Sequence, residues 1–168
     1  MFYIELFRAL EEENVRYLLV GGLAVNLHGV ARFTADVDIM LALDAENLGH
    51  FVAAAKRLKL KPVVPVTLDD FADAAKVRSW IDDKRMLAFA LRPPEQWAPT
   101  LDVLVKPAVA FQAAYGRQVR TTAEGVPVCL AAIEDIITLK TGTGRQKDEA
   151  DILALQQLLR VKDSRNEP

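Results

Sequence analysis

A chain of 168 residues, 51% hydrophobic and 26% charged, is long enough for one domain with a real core and too apolar to be disordered. Its 21 Lys and Arg against 23 Asp and Glu leave a formal charge of −2, which excludes a general polyanion-binding surface, so any nucleic-acid contact needs a local basic patch. No apolar run approaches the ~18 residues of a membrane span, Met1-Phe2-Tyr3-Ile4-Glu5 lacks the basic and apolar regions of a leader, and Cys129 alone allows no internal disulfide, so a cytoplasmic protein without membrane contact is expected.

Tyr3, Leu6, Phe7 and Leu10 recur at i, i+3, i+4 and i+7, which predicts an amphipathic helix ending near Asn14. Residues 16–20 read as a short apolar strand. Gly21-Gly22 turns into a second helix with Leu23 and Leu27 on one face, closing near Gly29. Residues 36–43 read as a strand with Val37, Ile39, Leu41 and Leu43 opposite Asp36 and Asp38. Asp44 is placed as the N-cap of a third helix that runs to about Leu60 with Leu48, Phe51, Val52 and Ala55 inward. Pro62 and Pro65 break the pattern, and residues 68–76 form a short helix before Trp80.

Further on, residues 86–91 read as a buried strand, Pro93-Pro94 as a loop, and residues 101–105 as a strand carrying Asp102. Short strands at 119–122 and 126–130 flank Glu124-Gly125. Helices at 131–141 and 148–161 close the chain around Gly142-Thr143-Gly144. The order predicts a mixed α/β (α+β) fold: a small mixed sheet flanked by helices. Residues 1–130 form the core, and a C-terminal helical segment, 131–168, packs on it within a single domain.

The chemistry centres on Val20-Gly21-Gly22 and Asp36-Val37-Asp38. On a strand, Asp36 and Asp38 face one way, roughly 6.5–7 Å apart along the chain. Two unit charges about 4 Å apart repel by about 4 kcal/mol at an effective dielectric of 20, so paired acids invite a divalent cation. Asp102, flanked by Leu101 and Val103, is either a third ligand beside them or a strand-edge acid paired to a Lys or Arg. Three carboxylates with open positions for phosphate suit Mg²⁺. Gly21 and Gly22 at a strand-to-helix turn let a phosphate approach backbone N–H groups at the positive end of a helix; a plain tight turn is the alternative.

These residues resemble the polymerase-β-like nucleotidyltransferase superfamily, whose pattern is an apolar residue, Gly, Gly or Ser, a gap, two alternating acids, and a third acid on a later strand. The resemblance implies that Asp36 and Asp38 bind two Mg²⁺ ions (or Mn²⁺), and that Asp102 binds the catalytic one and helps activate the acceptor. It implies NMP transfer from an NTP to an acceptor hydroxyl with pyrophosphate release. Gly21-Gly22-Leu23-Ala24, His28-Gly29, Arg32-Phe33-Thr34, Lys140 and Arg145-Gln146-Lys147-Asp148 further resemble stand-alone bacterial nucleotidyltransferases related to toxin–antitoxin and abortive-infection proteins. That implies a tRNA, protein or small-molecule acceptor and a cognate antitoxin-like partner. The chain departs from antibiotic-modifying relatives, which usually carry Ser after the first Gly and no Arg-x-Thr ahead of the acids. The rival readings are a non-catalytic nucleotide- or partner-binding module and an antibiotic adenylyltransferase.

Lys140 continues the apolar face of Ile133, Ile136 and Ile137, so it either meets an anion (a site carboxylate or a triphosphate) or snorkels to solvent. Arg32 reaches a phosphate or stays a solvated loop charge, and Thr34 bonds a phosphate or serves the turn. Arg145 and Lys147 contact the nucleotide or form a solvated cluster. His28 is expected to cap or pack, Asp148 and Asp151 to cap the last helix, and Trp80 and Trp97 to be core or rim residues.

Overall fold

The computed structural model describes residues 1–166, so the last two residues of the 131–168 segment lie outside the described residues. A seven-stranded sheet runs in the order β3-β4-β5-β2-β1-β7-β6. Its strands are β1 (Tyr17–Val20), β2 (Val37–Leu41), β3 (Lys61–Pro62), β4 (Ala88–Arg92), β5 (Leu101–Leu104), β6 (Val119–Ala123) and β7 (Val126–Leu130). The helices are α1 (Phe2–Glu12), α2 (Gly21–Leu27), α3 (Ala45–Arg57), α4 (Leu68–Phe71), α5 (Ala74–Asp82), α6 (Phe111–Gly116), α7 (Ile133–Lys140) and α8 (Gln146–Asn166). β2 pairs antiparallel with β1 and parallel with β5, while β1 and β7 are parallel. The sheet is therefore mixed, as the sequence predicts. No described helix is long and apolar enough to cross a membrane.

Each element follows from local chemistry. All four residues of β1 are buried, as befits a strand covered on both faces. In β2, Val37, Ile39, Met40 and Leu41 are buried and Asp38 alone is partly exposed. Asp44 caps α3 by accepting from Asn47 N at 3.1 Å. Asn47, itself buried, donates to the carbonyls of Arg16 (3.0 Å) and Ala42 (2.8 Å) and accepts from Arg16 N (2.7 Å), tying α3 to the ends of β1 and β2. α1 packs on α3 and β7, α2 on β1, β2 and α7, and α7 on α8.

The structure amends several element boundaries. β2 starts at Val37, so Asp36 sits just outside the strand. The helix expected at 68–76 is two helices: a capping box between Thr67 and Asp70 starts α4, and Asp73 caps α5. This proline-broken region is held by aromatic packing, which has no period in the sequence. Phe71 stacks on Phe89 at 4.4 Å and meets Phe51 at 5.5 Å, and buried Trp80 stacks on Phe89 at 5.7 Å. α6, not expected from the sequence, is a short turn of helix with Phe111 stacked on Tyr115. α8 begins two residues earlier and ends later than the 148–161 pattern.

Candidate active site

The ladder itself assembles the acids. Val20, the last residue of β1, lies opposite Asp38 on β2, and Asp38 lies opposite Asp102 on β5. The glycine turn therefore begins beside one acid, and the third acid stands one strand further on. Asp36 precedes β2 and is held by the loop before β5: Thr100 Oγ1 donates to Asp36 Oδ1 at 2.7 Å, and Val37 N donates to the Thr100 carbonyl at 2.9 Å.

These residues line one cleft of about 430 Å³, together with Lys140, Arg145 and Lys147. The glycines are required by space. Gly21 has φ +66°, and a Cβ there would collide with the Asp38 carboxylate. A Cβ on Gly22 would stand 2.6 Å from Thr34 Oγ1 and 3.1 Å from Arg32 Cζ. Arg32 and Thr34 thus lean over the turn, while Phe33 between them is 89% exposed. Asn26 Oδ1 accepts from Arg32 N at 3.0 Å and fixes the loop, and Thr34 Oγ1 donates to the Asp36 carbonyl at 3.4 Å.

The acids are electrostatically unsettled. Burial pushes the Asp38 carboxyl up to about 6, and the charges of Asp102 and Asp36 add to the rise against a smaller opposing pull from Lys140 and Arg145. Asp102 is raised by burial and by Asp36. Among the described hydrogen bonds and ion pairs, neither Asp38 nor Asp102 has a side-chain partner. The three carboxylates line the cleft without being drawn into a closed cluster; among the described residues no three His, Cys, Asp or Glu side chains form one. Three hard oxygen donors that no described ion pair neutralises nevertheless have the chemistry that a divalent cation satisfies.

The cations of the cleft have partners. Lys140, 8% exposed, does not snorkel: its Nζ is 2.8 Å from Asp148 Oδ1 and 2.8 Å from Asp151 Oδ2. Arg32 is not a solvated charge, since it ion-pairs with Asp151 and its Nε donates to the Phe33 carbonyl at 3.2 Å. Arg145 Nε (2.6 Å) and Thr143 Oγ1 (2.7 Å) donate to Asp148 Oδ2. Burial raises the Asp148 carboxyl, but the hydrogen bonds from Lys140, Thr143 and Arg145 and the Lys140 charge outweigh it and bring it down to about 2. Lys147 is exposed at the rim.

The expectation that Asp148 and Asp151 cap the last helix is corrected. α8 starts at Gln146, which puts both acids inside the helix, where they bind cleft cations rather than open N–H groups. His28 does follow expectation: it is the C-cap residue of α2, and its Nε2 donates to the Ala131 carbonyl at 2.8 Å. Burial lowers its pKa. Trp97 is 93% exposed, and Cys129 is buried and unpaired. Sequence reasoning missed Asn26 and Thr100, polar residues whose partners lie on other elements. The one signal for Thr100 was its place directly before the Leu101-Asp102 strand.

No protein-family model and no curated protein matches the chain. Solved structures do. A lincosamide antibiotic adenylyltransferase, LnuA, bound to lincomycin, is similar at TM-score 0.61 and 19% identity over 94% of each chain. An antigenic nucleotidyltransferase-like protein from Paracoccidioides brasiliensis gives 0.54 and 20% over 95% of this chain and 75% of that one. ANT(2″)-Ia in complex with adenylyl-2″-tobramycin gives 0.52 and 16% over 93% and 95%. At such identities the likeness is one of fold, and the chain has the polymerase-β-like nucleotidyltransferase fold.

Proposed function

We propose that this protein is a metal-dependent nucleotidyltransferase that moves an NMP from an NTP to an acceptor hydroxyl and releases pyrophosphate. The observation that carries the reading is the register that sets Asp38 beside Val20 of the glycine turn on one side and opposite Asp102 on the other. Asp36, Asp38 and Asp102 would hold two Mg²⁺ ions, which supply activation of the acceptor oxygen and charge neutralisation of the leaving pyrophosphate.

The chain's own residues do the rest. The turn at Gly21 and Gly22 takes the phosphates against α2, where side chains would exclude them. Arg32, Thr34 and Lys140 bind the triphosphate. Asp102, with its raised proton affinity, orients the acceptor hydroxyl and takes its proton as the new O–P bond forms and the bond to pyrophosphate breaks. All three acids are present, which favours an enzyme over a non-catalytic module.

The acceptor is a tRNA end, a protein hydroxyl or a small molecule. The fold likeness to the lincomycin-bound lincosamide adenylyltransferase and to ANT(2″)-Ia in complex with adenylyl-2″-tobramycin supports the small-molecule arm. Gly22 in place of Ser and the Arg32-Phe33-Thr34 loop support the toxin-like arm, with an antitoxin-like partner in a reducing cytoplasm. Incubation with each labelled NTP, Mg²⁺ and a cell extract tests this: pyrophosphate release with label in the RNA, protein or small-molecule fraction supports transfer and identifies the acceptor. No release with any NTP overturns the reading.

A further inference from the structure

We propose that Asp151 is a positioning residue that acts through Arg32 and Lys140 to preset the cations that share the cleft with the catalytic acids. The inference rests on the nucleotidyltransferase reading and deepens it. Asp151 is 6% exposed and lies in the early part of α8, yet its carboxylate bonds nothing on its own helix. It pairs with Arg32, from the loop ahead of β2, and stands 2.8 Å from Lys140 Nζ at the end of α7. One carboxylate thus joins α8 to the preceding helix and to a loop 119 residues earlier in the chain, and both of its cations line the cleft.

A buried ion pair costs desolvation, and replacing it by apolar packing is often neutral or stabilising, so stability alone is a poor explanation for keeping this one. Its geometry suggests another use. Arg32 has its Nε on the Phe33 carbonyl and its Nη1 on Asp151, which holds the guanidinium plane and leaves Nη2 without a described protein partner. Lys140 has two of its three donors on Asp148 and Asp151. Counting formal charges, Lys140, Arg32 and Arg145 against Asp148 and Asp151 leave one positive charge in excess. The network itself therefore keeps a positive excess beside the three acids of the cleft, and its cations are already oriented. Long cationic side chains otherwise lose rotamer freedom on binding. Asp151 removes that cost in advance.

The test is a double-mutant cycle on steady-state pyrophosphate release by the full chain, with NTP and Mg²⁺ varied. Asp151→Asn is expected to lower kcat/KM at least tenfold in the wild-type background, chiefly through KM for the NTP. In the Arg32→Ala background the same change is expected to cost clearly less, threefold or less, because one of the two groups it acts through is gone and only Lys140 remains. Equal factors in both backgrounds, or no loss in the wild type, overturn the proposal and leave the enzyme reading standing. A wild type that releases no pyrophosphate instead overturns the enzyme reading itself. Asp151→Glu keeps the buried charge and serves if the Asn variant does not fold; it is expected to give an intermediate loss that shrinks with Arg32→Ala, and an undiminished loss counts against the proposal.

Discussion

Asp38 lies directly opposite Asp102 across the parallel β2–β5 ladder, so two carboxylates that have no side-chain partner among the described residues share one edge of the cleft. Burying a carboxylate and setting like charges beside it costs stability, and the cost is measurable.

For Asp38, the folded-state pKa of about 6 stands above an unfolded value of about 3.9. The folded protein then binds more protons between those values, so this group's contribution to stability falls as pH rises through the window and the cost is full above pH 6. Asp38→Asn is expected to raise the melting temperature of the metal-free protein at pH 7.5 by a few degrees, on the order of 2 kcal/mol. The gain should vanish near pH 4. Thermal scans of both proteins across this range check it, and the same variant should show no pyrophosphate release.

Gly21→Ala is expected to damage both fold and function. The positive φ costs an L-residue about 1 kcal/mol, and the new methyl collides with the Asp38 carboxylate. A drop of at least tenfold in kcat/KM, with a lower melting temperature, is the expected result. Unchanged turnover would show that the turn does not need its close approach.

Thr100 holds Asp36 through one hydroxyl bond. Thr100→Val keeps the shape and removes the donor, a change of about 1 kcal/mol. The Mg²⁺ concentration for half-maximal activity should rise roughly fivefold by the same principle, while Thr100→Ser stays close to wild type. A metal titration of the three proteins decides it.

Asp148 has the opposite linkage to Asp38. Its pKa is depressed to about 2 in the folded protein, so its stabilisation is present above the unfolded value near 3.9 and is lost as pH falls toward 2. Asp148→Asn leaves Lys140 with Asp151 alone and should destabilise by about 3 kcal/mol at pH 7. The gap from wild type should narrow steadily in denaturant melts below pH 4.

Much of this molecule is legible locally. The glycine turn, the strand alternation that isolates Asp38, the Asp44 cap and the periodic faces of α1 and α3 all depend on residues within a turn or two of one another. The stretch from Lys61 to Asp82 was not legible, because its order comes from Phe51, Phe71, Trp80 and Phe89 meeting across four elements rather than from a repeat. Asp148 and Asp151 misled for a related reason. Acids early in a helix usually satisfy N–H groups or the dipole, and only the packing of α8 against α7 and the Arg32 loop turns them inward.

By itself, then, the sequence determined the mixed α/β order and the glycine turn and paired acids of the proposed site, since strand and turn geometry are set by near neighbours. Only the tertiary structure decided which charges meet: Asp102 with Asp38, Thr100 with Asp36, and Asp151 with Arg32 and Lys140. A charge that leaves water must find its partner wherever the fold delivers one, and no spacing along the chain records that place.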